Sequence, residues 1–203
     1  MADHYYTNKP SAVSKEAAWT YTLKGHEFKF VTDQGVFSKK TVDFGSRLLI
    51  ETLDLKELVA GPILDVGCGY GPMGLSLAKA DPERQVEMVD VNERALGLAK
   101  QNASNNRIST VDIHVSDVYD QVKGKDFAAI VSNPPIRAGK EVVHSILTGA
   151  YHYLKEGGSL TVVIQKKQGA PSAKAKMEET FGNAEVIAKD KGYWIIQSIK
   201  QVN

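Results

Sequence analysis

Apolar and polar positions alternate along residues 17–37, AAWTYTLKGHEFKFVTDQGVF, with Gly25 and Gly35 as breaks. That period of two predicts strand, turn and strand, a small hairpin at the start of the chain. From Asp43 the spacing lengthens, and Leu48, Leu49, Thr52, Leu53 and Leu58 form one apolar face of a helix that Gly61-Pro62 ends. Short apolar runs then predict strands at PILDVG, VEMVDV, VDIHVS, FAAIVSN, SLTVVIQ, AEVIAKD and YWIIQSI, with helices over 72–80, 93–106, 139–154 and 172–181. Strands separated by helical stretches need crossover connections. The expectation is therefore an α/β fold, a mainly parallel sheet with helices on both faces. Only KDKG separates the last two runs, so they are expected to close the sheet as a hairpin with the last strand antiparallel.

No internal repeat or low-complexity linker interrupts this pattern. Residues 1–203 read as a single domain, a lead-in over 1–60 followed by a core over 61–203. A composition of 42% hydrophobic and 24% charged residues suits a globular core. The net charge of +1 excludes a surface coated in basic residues, so any nucleic-acid contact must be focal. A lone Cys68 cannot form an internal disulfide, and nothing near it has zinc-ligand spacing; no metal is expected. The start, MADHYYTNKP, has no apolar leader, and no stretch approaches the roughly 20 apolar residues of a membrane span. A cytoplasmic protein without a membrane partner is expected, and a monomer is favoured over an oligomer.

In an open α/β sheet the ligand lies beyond the carboxyl ends of the strands. The first core strand leaves through LDVGCGYGPMG, whose Gly67, Gly69, Gly71 and Gly74 allow a tight turn and close approach of a ligand to the main chain. Asp65 stands just before the first glycine. The next strand ends at Asp90, where a carboxylate can accept from both hydroxyls of a ribose. The third ends near Asp117, placed for an adenine amino group. Three acids suit a nucleoside carrying positive charge better than one carrying diphosphate. A dinucleotide fingerprint also pairs glycines with a later acid, so an NAD-dependent oxidoreductase and a non-catalytic nucleotide-binding module stay open on the glycine turn alone.

The fourth strand, FAAIVSNPPI, ends on Asn133, Pro134 and Pro135. Proline fixes φ, removes a donor and pushes Asn133 toward extended backbone, so the turn presents acceptors rigidly. An exocyclic amine is a poor nucleophile because its lone pair is delocalised. Acceptors on its two hydrogens, the Asn133 side-chain oxygen and the Pro134 carbonyl, favour a tetrahedral nitrogen and the charge that develops there. On this reading an Asp at position 133 would still accept from the amine.

LDVGCGYG together with the three strand-end acids resembles the class I S-adenosylmethionine-dependent methyltransferases, which implies a Rossmann-like seven-stranded fold. By that resemblance Asp65, Gly67 and Gly69 hold the methionine part of S-adenosylmethionine, Asp90 the ribose and Asp117 the adenine edge, with Gly71 and Asn133 as further cofactor contacts. Asn-Pro-Pro is similar to the motif of enzymes that methylate amino or amide nitrogens, including adenine N6, guanine N2 and protein glutamine. GVFS followed by DFGSRLL, together with NPPIRAGK and KKQGAPSA, resembles the catalytic half of the bacterial 16S ribosomal RNA guanine-N2 methyltransferases of the RsmC type. That likeness implies guanine N2 as the acceptor and ribosomal RNA or the small ribosomal subunit as the partner. Many such enzymes have an aromatic residue after the second proline. Ile136 stands there instead, and Phe37 is the candidate wall for the target base. Lys39, Lys40, Arg47, Arg137 and Lys140 are basic residues near the expected site, as are Lys166, Lys167, Lys174 and Lys176 in the acid-free run QKKQGAPSAKAK. Of these, Arg137, Lys166 and Lys167 are the candidate substrate contacts.

Overall fold

A computed structural model describes residues 15–33 and 40–202. Gly35, Phe37 and Lys39 lie outside the described residues. The alternating segment forms β1 (Glu16–Leu23) and β2 (His26–Asp33), antiparallel about Lys24-Gly25, whose φ values of 48° and 76° suit a two-residue hairpin turn. The helix expected from Asp43 is α1 (Phe44–Thr52), and it stops sooner than its apolar pattern implied. Asp54 accepts from the Lys56 amide and starts a separate 3₁₀ turn, Leu55–Glu57, before Gly61-Pro62.

The core follows as β3 (Ile63–Val66), α2 (Pro72–Ala80), β4 (Val86–Asp90), α3 (Glu93–Asn105), β5 (Val111–Val115), β6 (Phe127–Ser132), α4 (Lys140–Tyr153), β7 (Leu154–Gln165), α5 (Ala170–Phe181), β8 (Glu185–Asp190) and β9 (Tyr193–Ile199). Two boundaries in this core differ from expectation by two residues or more, for local reasons. Helix α5 begins two residues early because Pro171 sits in its first turn, where a missing N–H is no loss. Strand β7 begins five residues before SLTVVIQ; Gly157 N donates to Lys200 O at 2.7 Å and Lys200 N to Gly158 O at 2.9 Å, which carries the ladder through the double glycine.

The strand order is β5-β4-β3-β6-β7-β9-β8, parallel except that β9 runs antiparallel between β7 and β8. The seven-stranded, mainly parallel sheet with its terminal antiparallel strand and separate N-terminal hairpin is the fold the pattern implied. Helices α1, α2 and α3 and the hairpin cover one face, with Phe28, Phe30, Leu49, Leu75 and Met88 in the core. Helices α4 and α5 cover the other, around Phe127, Leu147, Leu160 and Met177. Each such fully buried side chain contributes about 1.5–3 kcal/mol.

The hairpin docks through two asparagines one helical turn apart, Asn102 on α3 and Asn106 at its C-cap. Asn102 accepts from Val31 N at 2.7 Å and donates to Val31 O at 3.1 Å; Asn106 does the same at Lys29, at 2.8 and 3.0 Å. Their amides stand in for a neighbouring strand and satisfy the outer edge of β2. Asn102 also donates to the Tyr70 carbonyl at 3.0 Å, tying the hairpin to the glycine turn. Among the described residues no helix is long and apolar enough to cross a membrane.

Candidate active site

The strand order reverses between the parallel neighbours β3 and β6, and their register pairs Val66 with Ser132. The next residue on each strand is Gly67 and Asn133, so the glycine turn and the Asn-Pro-Pro turn leave side by side at the switch point. Ser132 closes the seam by donating its hydroxyl to Val66 O at 2.7 Å.

Gly67, Gly69 and Gly71 have φ of 75°, 58° and 102°, values that favour glycine. A Cβ on Gly67 would meet only open space, so the bare backbone there faces the crevice. Gly71 and Gly74 serve packing instead: a Cβ would come within 2.8 Å of Leu75 Cδ1 at Gly71 and within 2.7 Å of Met88 Sδ on β4 at Gly74. Asp65 and Asp90 are both buried, and each is bound to this turn. Asp65 accepts from Gly74 N at 2.9 Å; Asp90 accepts from Gly69 N at 2.8 Å and from Asn92 N at 2.9 Å. Burial pushes the Asp65 carboxyl up to about 7, the Gly74 N–H opposing the shift and the charge of Asp90 adding to it. Burial, then Asp65 and Asp90, push the Cys68 thiol well above its ordinary range, so it stays protonated and is no nucleophile.

Both carboxylates line a crevice with Val66, Tyr70, Met73 and Val91, and Asn133, Pro135, Asp43 and Ser46 close its far side. A low-dielectric pocket with two fixed carboxylates and an exposed glycine backbone fits a nucleoside bearing cationic groups. Asp117 is exposed beside this crevice; its neighbours Ser116 and Val118 line it, and the Asp117 amide donates to Gln121 Oε1 at 2.7 Å. The loop bearing them is pinned by buried Glu87, which accepts from Lys123 N and Gly124 N, both at 2.9 Å, and meets His114 at 3.2 Å. Glu87, Asp112 and His114 thus converge, a group with metal-ligand chemistry that the sequence reading missed, yet Glu87 is spent on the loop and Asp112 meets Lys123 at 3.2 Å.

Asn133 Nδ2 donates to Asp43 Oδ2 at 3.1 Å and to Ser46 Oγ at 3.0 Å. A carboxylate only accepts, so this pair fixes which end of the amide is the donor. Both N–H groups are spent on α1, and Oδ1 remains as the acceptor. Asp43 also caps α1 through Ser46 N at 3.0 Å. These two partners escaped the sequence reading, although DFGSRLL contains both.

The remaining candidates are dispersed around the mouth. Pro134 is buried; Ile136 opens a short 3₁₀ turn, Ile136–Ala138, and lines a separate hollow with Lys140, His144, Ile164 and Ser172. Arg137 is exposed. Lys166 and Lys167 are exposed in the 3₁₀ turn Lys166–Gln168, at the carboxyl end of β7 beside β6. Lys174 and Lys176 are separated from them by the fold: both lie within α5 and pair with Glu178 and Glu179 at 3.8 and 3.7 Å.

The strand order, the crevice at the switch point and the strand-end carboxylates define a class I S-adenosylmethionine-dependent methyltransferase. The sequence profile of the Methyltransferase small domain family matches residues 27–197, and the chain belongs to that family. It is 53% identical to the uncharacterized protein YbxB of Bacillus subtilis strain 168, over 98% of this chain and 100% of that one. It is 33% identical to ribosomal RNA small subunit methyltransferase C of Erwinia tasmaniensis, over 86% of this chain and 50% of that protein. Among solved structures, the 16S rRNA N2 G1207 methyltransferase RsmC of T. thermophilus, in complex with AdoMet and guanosine, superposes with a TM-score of 0.81 at 26% identity. That match covers 92% of this chain and 51% of the neighbour, so the chain spans about half the length of its RsmC relatives. S-adenosylmethionine is the cofactor of this class, and the family excludes the NAD-dependent reading.

Proposed function

We propose that the chain transfers a methyl group to the exocyclic N2 of a guanine in small-subunit ribosomal RNA. The observation that carries this reading is the Asn133 amide, whose donors are both engaged by Asp43 and Ser46 and whose oxygen is left as an acceptor at the crevice. Such an oxygen matches a target that brings hydrogens, an amine or amide nitrogen. Ribosomal RNA enters through the relatives, since both the E. tasmaniensis protein and the T. thermophilus structure are named for small-subunit rRNA.

The cofactor supplies an electrophilic methyl on a sulfonium. Asp90 accepts from the ribose hydroxyls, Asp65 accepts from the methionine ammonium, and Asp117 at the rim accepts from the adenine amine. Gly67 and Gly69 let the ligand lie on bare main chain, while Gly71 permits the turn and packs on Leu75 and Met88. Asn133 Oδ1 and the Pro134 carbonyl accept from the two amine hydrogens, align the nitrogen lone pair and stabilise positive charge as it grows. The nitrogen then sheds one proton to water. Pro135 holds the turn, Arg137, Lys166 and Lys167 contact RNA phosphate, and Phe37 walls the base in place of Ile136.

Incubation with tritiated S-adenosylmethionine and either 16S RNA or small subunits from cells lacking the gene tests this reading. Label in N2-methylguanine is the expected product. Label in N6-methyladenine or in a protein glutamine would overturn the guanine assignment in favour of those chemistries.

A further inference from the structure

Beside the crevice, two cations share one aromatic ring. Arg47 Cζ lies 5.0 Å and Lys191 Nζ 4.7 Å from the centroid of Phe44, the residue that follows Asp43. The ring is itself fixed, its centroid 5.6 Å from Tyr193 on β9. Helix α1 reaches that strand because Gly45 has no side chain; a Cβ would sit 2.9 Å from Tyr193 Cε1. Lys191 is aimed by the β8–β9 turn, where it takes φ of 48° and Gly192 φ of 81°. Arg47 spends one N–H on Tyr21 Oη at 2.9 Å, and among the described residues its four others have no partner. The Lys166 amide donates to Gly192 O at 2.8 Å, which joins the lysine turn after β7 to the same surface.

The charge on this face is unbalanced. Among the described residues none of Arg47, Lys166, Lys167 and Lys191 pairs with a carboxylate, whereas Lys123, Lys174 and Lys176 elsewhere do. Asp43 is engaged by Asn133 and Ser46, which leaves exposed Asp190 as the nearby acid in the turn. Holding two cations on one ring costs repulsion that an anion between or above them would relieve.

We infer that Arg47 and Lys191, mounted on Phe44, bind the phosphodiester backbone of the RNA strand flanking the target nucleotide. This rests on the RNA methyltransferase reading and adds to it a track running from the Asn133 turn across α1 to the β8–β9 turn. Arg47 supplies planar, paired donors for phosphate oxygens, and Lys191 supplies a point charge. The contact positions the strand without reading its sequence.

The test is the salt dependence of affinity for a labelled single-stranded 16S fragment, followed by fluorescence anisotropy between about 50 and 200 mM salt. Arg47→Gln and Lys191→Asn each remove a charge, and Asn tolerates the positive φ of the turn. The double variant should weaken binding and lower the slope of log K against log salt by roughly 1.4, the value for two lost phosphate contacts on a single strand. Affinity for S-adenosylhomocysteine should stay at the wild-type value, which also reports an intact fold. Lys56→Gln, on the 3₁₀ turn before β3, controls for net charge and should leave the slope unchanged. Wild-type RNA binding with an unchanged slope in the double variant would overturn this surface alone. So would a loss confined to assembled subunits, which would mean that the face meets a ribosomal protein. No RNA binding by the wild-type chain would overturn the RNA reading together with it.

Discussion

Asn133 Nδ2 meets Asp43 Oδ2 at 3.1 Å across a separation of 90 residues, joining the Asn-Pro-Pro turn to the cap of α1. The contact gives the amide a polarity: the nitrogen is held by the helix cap, and the oxygen is left as the acceptor.

That polarity changes what an acid at position 133 should do. Asn133→Asp would set two carboxylates about 3 Å apart, a pair that cannot both stay ionised without large cost. Single-turnover methylation with saturating cofactor should fall by about 10²-fold in Asn133→Ala, as for loss of one preorganised polar contact, and by at least as much in Asn133→Asp. Asp43→Asn still caps α1, because Asn and Asp cap equally well. Combining Asp43→Asn with Asn133→Asp lets the new amide donate to the new carboxylate, and the double variant should run at least about tenfold faster than Asn133→Asp alone. A double variant no faster than the single one would show that Asp43 does not orient Asn133.

Asp65 makes the chain pH-sensitive in a direction that burial dictates. Its folded carboxyl titrates at about 7 against an ordinary 3.8, so between those values the folded state holds a proton that the unfolded state has released. Its contribution to stability is present below about pH 4 and is lost as pH rises through 7. Asp65→Asn keeps an acceptor for Gly74 N and removes the charge. In thermal melts without ligand, its advantage over wild type should grow from pH 5 to pH 8. In calorimetric titrations, wild-type affinity for S-adenosylmethionine should rise over the same range while that of Asp65→Asn stays flat. A melting difference independent of pH would refute the burial argument.

Asp90 has two tasks, because the carboxylate proposed to hold the ribose already caps Gly69 and Asn92. Asp90→Ala should weaken S-adenosylmethionine binding by about 2–4 kcal/mol and also lower stability by about 1–3 kcal/mol, since buried N–H groups lose their acceptor. Asp117→Ala, at an exposed position, should cost less affinity and no measurable stability. Calorimetry and urea denaturation separate the two effects. Unchanged cofactor affinity in Asp90→Ala would remove the ribose assignment.

Asn102 couples the N-terminal hairpin to the glycine turn. Truncation to Ala removes its bonds to Val31 N, Val31 O and Tyr70 O inside a fully buried site, and should destabilise the chain by about 2–4 kcal/mol. Lys123→Ala, which loses an exposed pair, should cost less than about 1 kcal/mol. Equal midpoints for the two variants in urea would mean that the Asn102 bonds add nothing to the docking of the hairpin.

Local patterns carried much of this molecule into the sequence. Helix α2 begins at Pro72 and ends at Ala80 as its period implied, because a proline start and an apolar face act within a few residues. Asp65, the glycines and Asn133 were legible for the same reason: each stands at the end of an apolar run, where a strand must stop and a crevice must open. The order β5-β4-β3-β6-β7-β9-β8 was not legible, since crossover rules admit several orders and the packing of two core layers selects one. Nor was the division of the basic run, in which Lys166 and Lys167 stay at the mouth while α5 turns Lys174 and Lys176 onto its own glutamates. DFGSRLL looked like the start of a helix, and in one dimension it is no more than that. Its Asp43 and Ser46 become partners of Asn133 only when α1 packs across β7 and β9, because a hydrogen bond depends on about 3 Å of space and not on 90 residues of chain.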